Sequence, residues 1–322
     1  MKKFFVQRYS AQHKRDWDGF VSKAEVHSIL FYRDFLEYHR DRFEDYSLLI
    51  FQEDKLVAIF PANICSNGEI HTHQGLSYGG FIFEKHTYFK TRISIYELVL
   101  KYFLINNVSD VYIRSVPMCY ANDNSHALIL DWIGAVNIRN DIYSYIPKDA
   151  YVGSNKDRKK YIKKALKNDF KTMESNDFDF FWDSLLIPNL KQRHNTQPVH
   201  SLLEIKNLKN KFPDSIKLYG VFKNNLMRAG VVVFVHRDVV HTQYIAGDEQ
   251  RSDGSLDFLI DSVIKKYNKT KIFSFGTSSE SHGKLINNGL LYWKESFRAV
   301  NELQRFYCVK TKNHIHLNNR LQ

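Results

Sequence analysis

Arg251, Ser252, Gly254 and Ser255 stand in a polar turn between two stretches of different character. Val239–Gly247 before the turn is a β-branched and aromatic run that ends in Ala246 and Gly247, the composition of a strand. After it, Leu256, Leu259, Ile260, Val263 and Ile264 recur at i, i+3, i+4, i+7 and i+8, which is one face of an amphipathic helix. Ser252 or Asp253 can cap that helix. The unpaired amides of its first turn then point into the loop with partial positive charge. A strand, a Gly/Ser turn and an exposed helix N-terminus together suit a pyrophosphate. A second concentration of chemistry is the stretch 191–204, where Arg193, His194, His200 and Glu204 supply more ionisable groups than a plain turn needs. A third is the run Tyr151–Phe170, with Lys156, Arg158, Lys159, Lys160, Lys163, Lys164 and Lys167 against Asp157 and Asp169. Ile162, Ala165 and Leu166 give that run an apolar stripe, so it reads as an amphipathic helix. Its cations suit a solvated face, a nucleic acid or substrate phosphates, but no nucleic-acid recognition motif accompanies them.

The elements that must hold these groups occur twice. Ser47–Thr72 aligns without a gap on Lys217–Thr242 at an offset of 170, with Leu48 on Leu218, Leu56 on Leu226 and His71 on His241. Each copy reads strand, tight polar turn, strand, tight polar turn, strand. The turns hold Glu53-Asp54-Lys55 and Ser66-Asn67-Gly68 in the first copy, Lys223-Asn224-Asn225 and His236-Arg237-Asp238 in the second. These are hairpin signals. In the first copy, residues 71–82 occupy the slot of the Arg251–Ser255 turn but carry no Arg or Gln opening a Gly-spaced turn. Their His and Tyr side chains, Tyr78 among them, are candidates to face an acceptor.

Around the copies, the patterns predict an edge strand over 4–9, helices over 24–43, 91–105, 125–133 and 178–190, and strands over 108–116, 138–146, 170–174 and 271–275. A helix through Leu285 and Leu290 to Lys294 and a last strand over 300–310 complete the chain. The 322 residues suffice for two domains, and a hydrophobic content of 43% with 15% aromatics supports packed cores. Cys65, Cys119 and Cys308 show no metal or redox spacing and are expected to be reduced. The net charge of +11 and pI near 9.3 call for an anionic partner. The longest aliphatic run, 230–235, is too short to span a bilayer, and the first residues lack a signal-peptide core, so a cytoplasmic protein is expected.

Arg251-Ser-Asp-Gly254-Ser-Leu256 resembles the R/Q-x-x-G-x-G/A loop with which GNAT acyltransferases grip the pyrophosphate of coenzyme A, with Leu256 in place of the last small residue. Five further pieces resemble the Fem-like branch (FemABX and BioF2-like), which carries two GNAT folds in one chain. They are Tyr78-Gly-Gly, Arg158-Lys-Lys-Tyr-Ile-Lys-Lys-Ala, Arg193-His-x-x-x-Pro-Val-His-Ser, His241-Thr-Gln-Tyr, and Phe275-Gly-Thr-Ser-Ser-Glu with the following Gly-Leu-x-x-Trp-Lys-Glu. Phe297-Arg298 departs from the Phe-Gly of relatives. The resemblance spans residues 25–310.

The resemblance implies a mixed α/β chain of two tandem GNAT folds with mostly antiparallel central sheets. It implies an acceptor-side domain over 1–150 without a coenzyme A site, a basic linking helix over 151–168 and an acyl-CoA-binding domain over 169–322. The implied reaction moves an acetyl or short 3-hydroxyacyl group to an amine, with direct attack and no covalent intermediate. Shorter relatives near surface-polysaccharide genes (O-antigen, lipopolysaccharide) look like N-acyltransferases of nucleotide-linked amino sugars. The expected donor is therefore acyl-CoA, and the expected acceptor a nucleotide-diphosphate amino sugar. No metal and no nucleic acid are expected, and the oligomeric state is left open, a monomer being compatible with the sequence. Donor contacts fall on Ala246, Gly247, Arg251, Ser252, Gly254 and Ser255. Acceptor contacts fall on Tyr78, Arg158, Lys159, Lys163, Arg193, His194, Gln243, Ser279, Glu280 and Lys294. Proton transfer falls on His241, whose ordinary pKa near 6.5 suits a base, with His200 and Glu204 as rivals or partners and Tyr244 as acid for the leaving thiolate. The alternatives are an aminoacyl-tRNA-dependent peptidyltransferase and a non-catalytic binder of nucleic acid or an anionic surface.

Overall fold

The computed structural model describes residues 3–121, 123, 125–248, 253–318 and 320, with the side chain of His194 excluded. The chain divides into two compact units, Met1–Asp141 with Glu302–Gln322, and Ile142–Asn301. A contiguous second half misses this return of the C-terminal segment. Val309 and Leu317 are fully buried in the same core as Ile93, Phe103 and Ile129, so their apolar area is removed from water in the first unit. The basic helix, Lys156–Lys167, lies inside the second unit and does not link two domains.

In the first unit, Phe4–Arg8, Leu48–Gln52, Lys55–Phe60 and Ile82–Phe83 pair antiparallel in that order. A short strand, Ile70–His71, runs parallel to Asp110–Arg114, with Ile70 opposite Val111 and His71 opposite Tyr112. The helix Phe89–Ile105 turns Ile93, Tyr96, Leu100 and Phe103 into the core. The helix expected over 24–43 is instead one short turn at Ile29–Phe31 and one at Arg33–Leu36, interrupted by extended backbone at Tyr32. The Arg33 guanidinium is buried here and bonds Glu37, Asp45 and Ser47.

In the second unit, Lys171–Ser175, Ile216–Lys223, Leu226–Val235 and Val239–Gly247 form an antiparallel meander, and Ile272–Thr277 adds in parallel to the last of these. The helix Ser255–Tyr267 covers one face with Leu259, Ile260, Val263 and Ile264, against Val231, Val233, Val240 and Phe273. On the other face Trp182 meets the Tyr244 ring edge-on at 5.0 Å. Leu285 lies in a small hairpin, Ser279–Glu280 with Leu285–Ile286, and the helix begins only at Asn288.

The two copies share topology, with one slip in register. His71 and His241 each sit in a strand that pairs in parallel with the strand after the next helix, opposite Tyr112 and Ser274 respectively. That correspondence keeps the offset of 170. The first hairpins do not. Gln52 pairs with Lys55 and Lys223 with Leu226, so the two-residue turns are Glu53-Asp54 and Asn224-Asn225, and Leu56 corresponds to Met227 instead of Leu226. A one-residue slip exchanges inward and outward side chains, which is why Met227 is buried while Leu226 is exposed.

Candidate active site

The second unit has a strand that loses its neighbour. Val239–Gly247 pairs with Ile272–Thr277 only through Val239–Ile272, Val240–Phe273 and His241–Ser274. Its other edge stays paired with Leu226–Val235 as far as Gly247. A bulge at Gln243 sits where the strands part, since Val233 faces Thr242 and Val232 faces Tyr244. Bulges bend a strand and re-aim its side chains. Beyond the parting, the free edge opens into a cleft of about 530 Å³. Ile245–Asp248 form one wall, with the Asn189 amide donating to the Gly247 carbonyl at 3.0 Å. The start of Ser255–Tyr267 forms the end, and Leu290 and Trp293 the opposite wall.

The end wall is built around Asp257. Its buried carboxylate accepts from Arg158 at 2.9 and 3.2 Å and from the Trp293 indole at 3.1 Å. Burial raises its pKa, and the Arg158 charge opposes that rise. Gly254, the residue before the helix, has φ of +85°, and the Ser255 amide donates to Asp253 at 2.8 Å. A Cβ at Gly254 would collide with the Tyr161 carbonyl oxygen of the basic helix. This glycine is therefore required by close helix packing as well as by its backbone. Gly254→Val is expected to lower stability by roughly 2–5 kcal/mol through left-handed strain and overpacking. Denaturant unfolding of both proteins measures it. A donor-binding defect in that variant would not isolate a role in binding.

Two titratable groups, His241 and Lys294, sit near the point where the strands part, behind the residues that line the cleft. His241 Nδ1 lies 3.0 Å from Ser274 Oγ, which lies 2.8 Å from the Tyr143 hydroxyl. Burial, and then the charge of Lys294, lower the His241 pKa to about 4. Lys294 is buried and donates to the carbonyls of Gly276 and Thr277 at 2.9 and 2.7 Å, in the stretch where pairing with Val239–Gly247 has ended. Burial lowers its pKa to about 7. Read as an acceptor contact in the sequence, Lys294 is in the structure a buried amine with its pKa brought down to about 7, while the imidazole is a weak base.

The other expected site residues divide. Arg158, Arg193, Ala246, Gly247, Ser255 and Glu280 line the cleft. Arg251 and Ser252 lie outside the described residues. Lys159 and Lys163 are exposed and are not among the cleft walls. His200 and Tyr244 bond each other, ring Nδ1 to hydroxyl at 2.6 Å, on the face that holds Trp182, and burial raises the tyrosine to about 12. Glu204 completes a capping box, accepting from the Ser201 amide at 2.7 Å, so it serves the helix Leu202–Lys211. The Ser279 hydroxyl accepts from the Ile142 amide. Tyr78 is buried in the first unit with its hydroxyl 3.0 Å from Ser28, and His73 is buried in a ring stack on His39, so neither faces an acceptor.

In the first unit the equivalent opening is closed. After His71 the chain loops out and returns at Gly79, whose amide donates to the Arg114 carbonyl at 2.8 Å beside Ser115. The remaining cavity is about 40 Å³. Arg92, in the first turn of Phe89–Ile105, bonds Glu25 at 2.5 Å and Asp123 at 3.2 Å and supplies an internal cation there.

No protein-family model matches the chain, and no curated protein does. Among solved structures it is similar to FemX (TM-score 0.69, 10% identity, covering 98% of this chain and 99% of that one). It is also similar to L-PGS from Bacillus licheniformis (0.54, 9%, 88% and 92%) and to a tandem GNAT protein from the clavulanic acid biosynthesis pathway (0.50, 6%, 96% and 99%). At these identities the likeness is one of fold: a mixed α/β chain carrying the tandem GNAT fold.

Proposed function

We propose that the chain is an acyltransferase that takes its donor, an acyl-CoA thioester, in the cleft of the second unit and passes the acyl group to an amine. The parted strand carries this reading. Its free edge supports an extended ligand amide through backbone hydrogen bonds, as an added strand would be supported. The fit is good along Ile245, Leu256, Leu290 and Trp293, which suit a thin apolar arm. The helix N-terminus suits a phosphate, although the Ser255 amide is taken by Asp253 and Asp257 already brings an anion to that turn, paired with Arg158.

In the reaction the amine nitrogen bonds the thioester carbonyl carbon and the C–S bond breaks. The neutral form of Lys294 takes the proton the amine loses, and the lysinium returns it to the departing thiolate. His241, neutral at pH 7, orients the amine. The finer proposal is a nucleotide-diphosphate amino sugar as acceptor, as expected in surface-polysaccharide synthesis. A net charge of +11 supports an anionic substrate. Arg193 and Glu280 line the cleft, and we propose them as contacts of the acceptor sugar and its amine.

Asp257 favours a second reading. A carboxylate at the helix start competes with a pyrophosphate, so a donor that presents no pyrophosphate there, an aminoacyl-tRNA, is the alternative. Native mass spectrometry with acyl-CoAs and nucleotide amino sugars separates the two. The first reading predicts one bound acyl-CoA and a product heavier by one acyl group, unaffected by ribonuclease. Ribonuclease-sensitive transfer with no acyl-CoA bound would replace it with the second.

A further inference from the structure

The basic helix turns its cations away from the cleft. At 100° per residue, Lys156, Lys159, Lys160, Lys163, Lys164 and Lys167 fall on one arc opposite Ala165, and all six are exposed. Ile162 and Ala165 are buried beneath them, Ala165 in the core shared with Leu259, Ile260 and Val263. Arg158, the single arginine, points inward to Asp257. Lys156, Lys159, Lys160, Lys163 and Lys167 form no ion pair with any described residue. Six like charges lie along about 18 Å of helix, against Asp157 and Asp169 in the same stretch.

The arc has an apolar margin. Leu166 is 55% exposed and stands seven residues after Lys159, on the same stripe. Val152 is 85% exposed. Lys159 and Leu166 thus share one edge of the helix, and Val152 lies in the segment just before its cap, Asn155. Lysine point charges bordered by exposed aliphatic side chains fit an anionic bilayer surface, where ammonium groups meet phosphates and short apolar side chains enter the interface. A nucleic acid favours arginine forks and aromatic platforms instead, and this face has neither.

We infer that the Lys156–Lys167 face docks the protein, reversibly and by charge, on an anionic phospholipid surface. The inference does not depend on the reaction proposed above.

Co-sedimentation with vesicles of phosphatidylcholine, with and without 30% phosphatidylglycerol (a composition of about that order), tests it. Binding is expected only to the anionic vesicles and should weaken steeply with salt. Lys159→Gln, Lys160→Gln and Lys163→Gln together should weaken it by about a hundredfold, at about fivefold per lysine. Val152→Asp with Leu166→Asp should weaken it further, with thermal unfolding unchanged. Absence of binding to anionic vesicles, equal binding to neutral ones, or the triple variant binding as well as wild type would overturn the inference. So would a duplex RNA that displaces the protein from vesicles at lower phosphate concentration than the lipid, which would assign the face to nucleic acid.

Discussion

Lys294→Met is expected to lower turnover by about 10²–10⁴, the usual contribution of a positioned proton acceptor, while donor affinity stays near wild type. The size follows from where the amine sits. It is buried beside two strand carbonyls, and burial brings its pKa down to about 7. The base must be neutral to act, so kcat/KM of the wild type should rise with pH through about 7 and level above it. The residual activity of Lys294→Met should lack that limb. His241→Asn should cost less, because a group with pKa about 4 accepts protons poorly at neutral pH. Steady-state rates from pH 5.5 to 9, with thermal unfolding of each variant, check both. A Lys294→Met enzyme that keeps the limb, or loses less than about tenfold, would move proton transfer to His241 or to water.

Gly247→Leu is expected to weaken donor binding by about tenfold to a hundredfold, as an overpacked contact of about 1–3 kcal/mol does, with the fold kept. Gly247 lines the cleft, and its backbone is not left-handed. A Cβ there meets Ala229 Cβ at 3.4 Å and Leu256 Cβ at 3.9 Å, ordinary contacts that Ala would satisfy. The longer leucine branch has the cleft to enter, across the path of a ligand lying on the strand edge. Gly247→Ala should bind the donor within a few fold of wild type. Calorimetric titration with a non-hydrolysable acyl-CoA analogue compares the three proteins. Tight binding by Gly247→Leu would mean the donor does not use this edge.

The meander, the repeat and the strand-turn-helix were legible because their signals are local. Alternation, two-residue turns and 3.6-residue spacing each span a few residues and survive without tertiary context. The parallel pairing of His71 with Tyr112 and of His241 with Ser274 preserves the offset read from the sequence. The hairpin slip at Leu56 was not legible, since leucine suits either face there and only the turn geometry fixes the register. Nor was the break of the helix expected over 24–43 at Tyr32, whose extended backbone has no local signal in the sequence.

At the site, the residue types were readable and their environments were not. Arg158 carries the same charge as Lys159 in the sequence, yet it is consumed by an aspartate 99 residues away. Lys294 reads as an ordinary lysine, because burial, not sequence spacing, shifts its pKa. Glu204 follows Ser201 at the capping-box spacing, a signal present in the sequence that identifies a helix start and not a base. The return of Glu302–Gln322 to the first unit has no local signature, since Val309 and Leu317 would serve either core.

Amide hydrogen exchange, with and without acyl-CoA, addresses the placement of the donor most directly. A thioester lying along the parted strand should slow exchange in peptides covering 243–248 and 255–258, and leave 70–83 and 110–116 of the first unit unchanged. Protection confined to the first unit, or none anywhere at saturating acyl-CoA, would contradict a donor site in the cleft of the second unit.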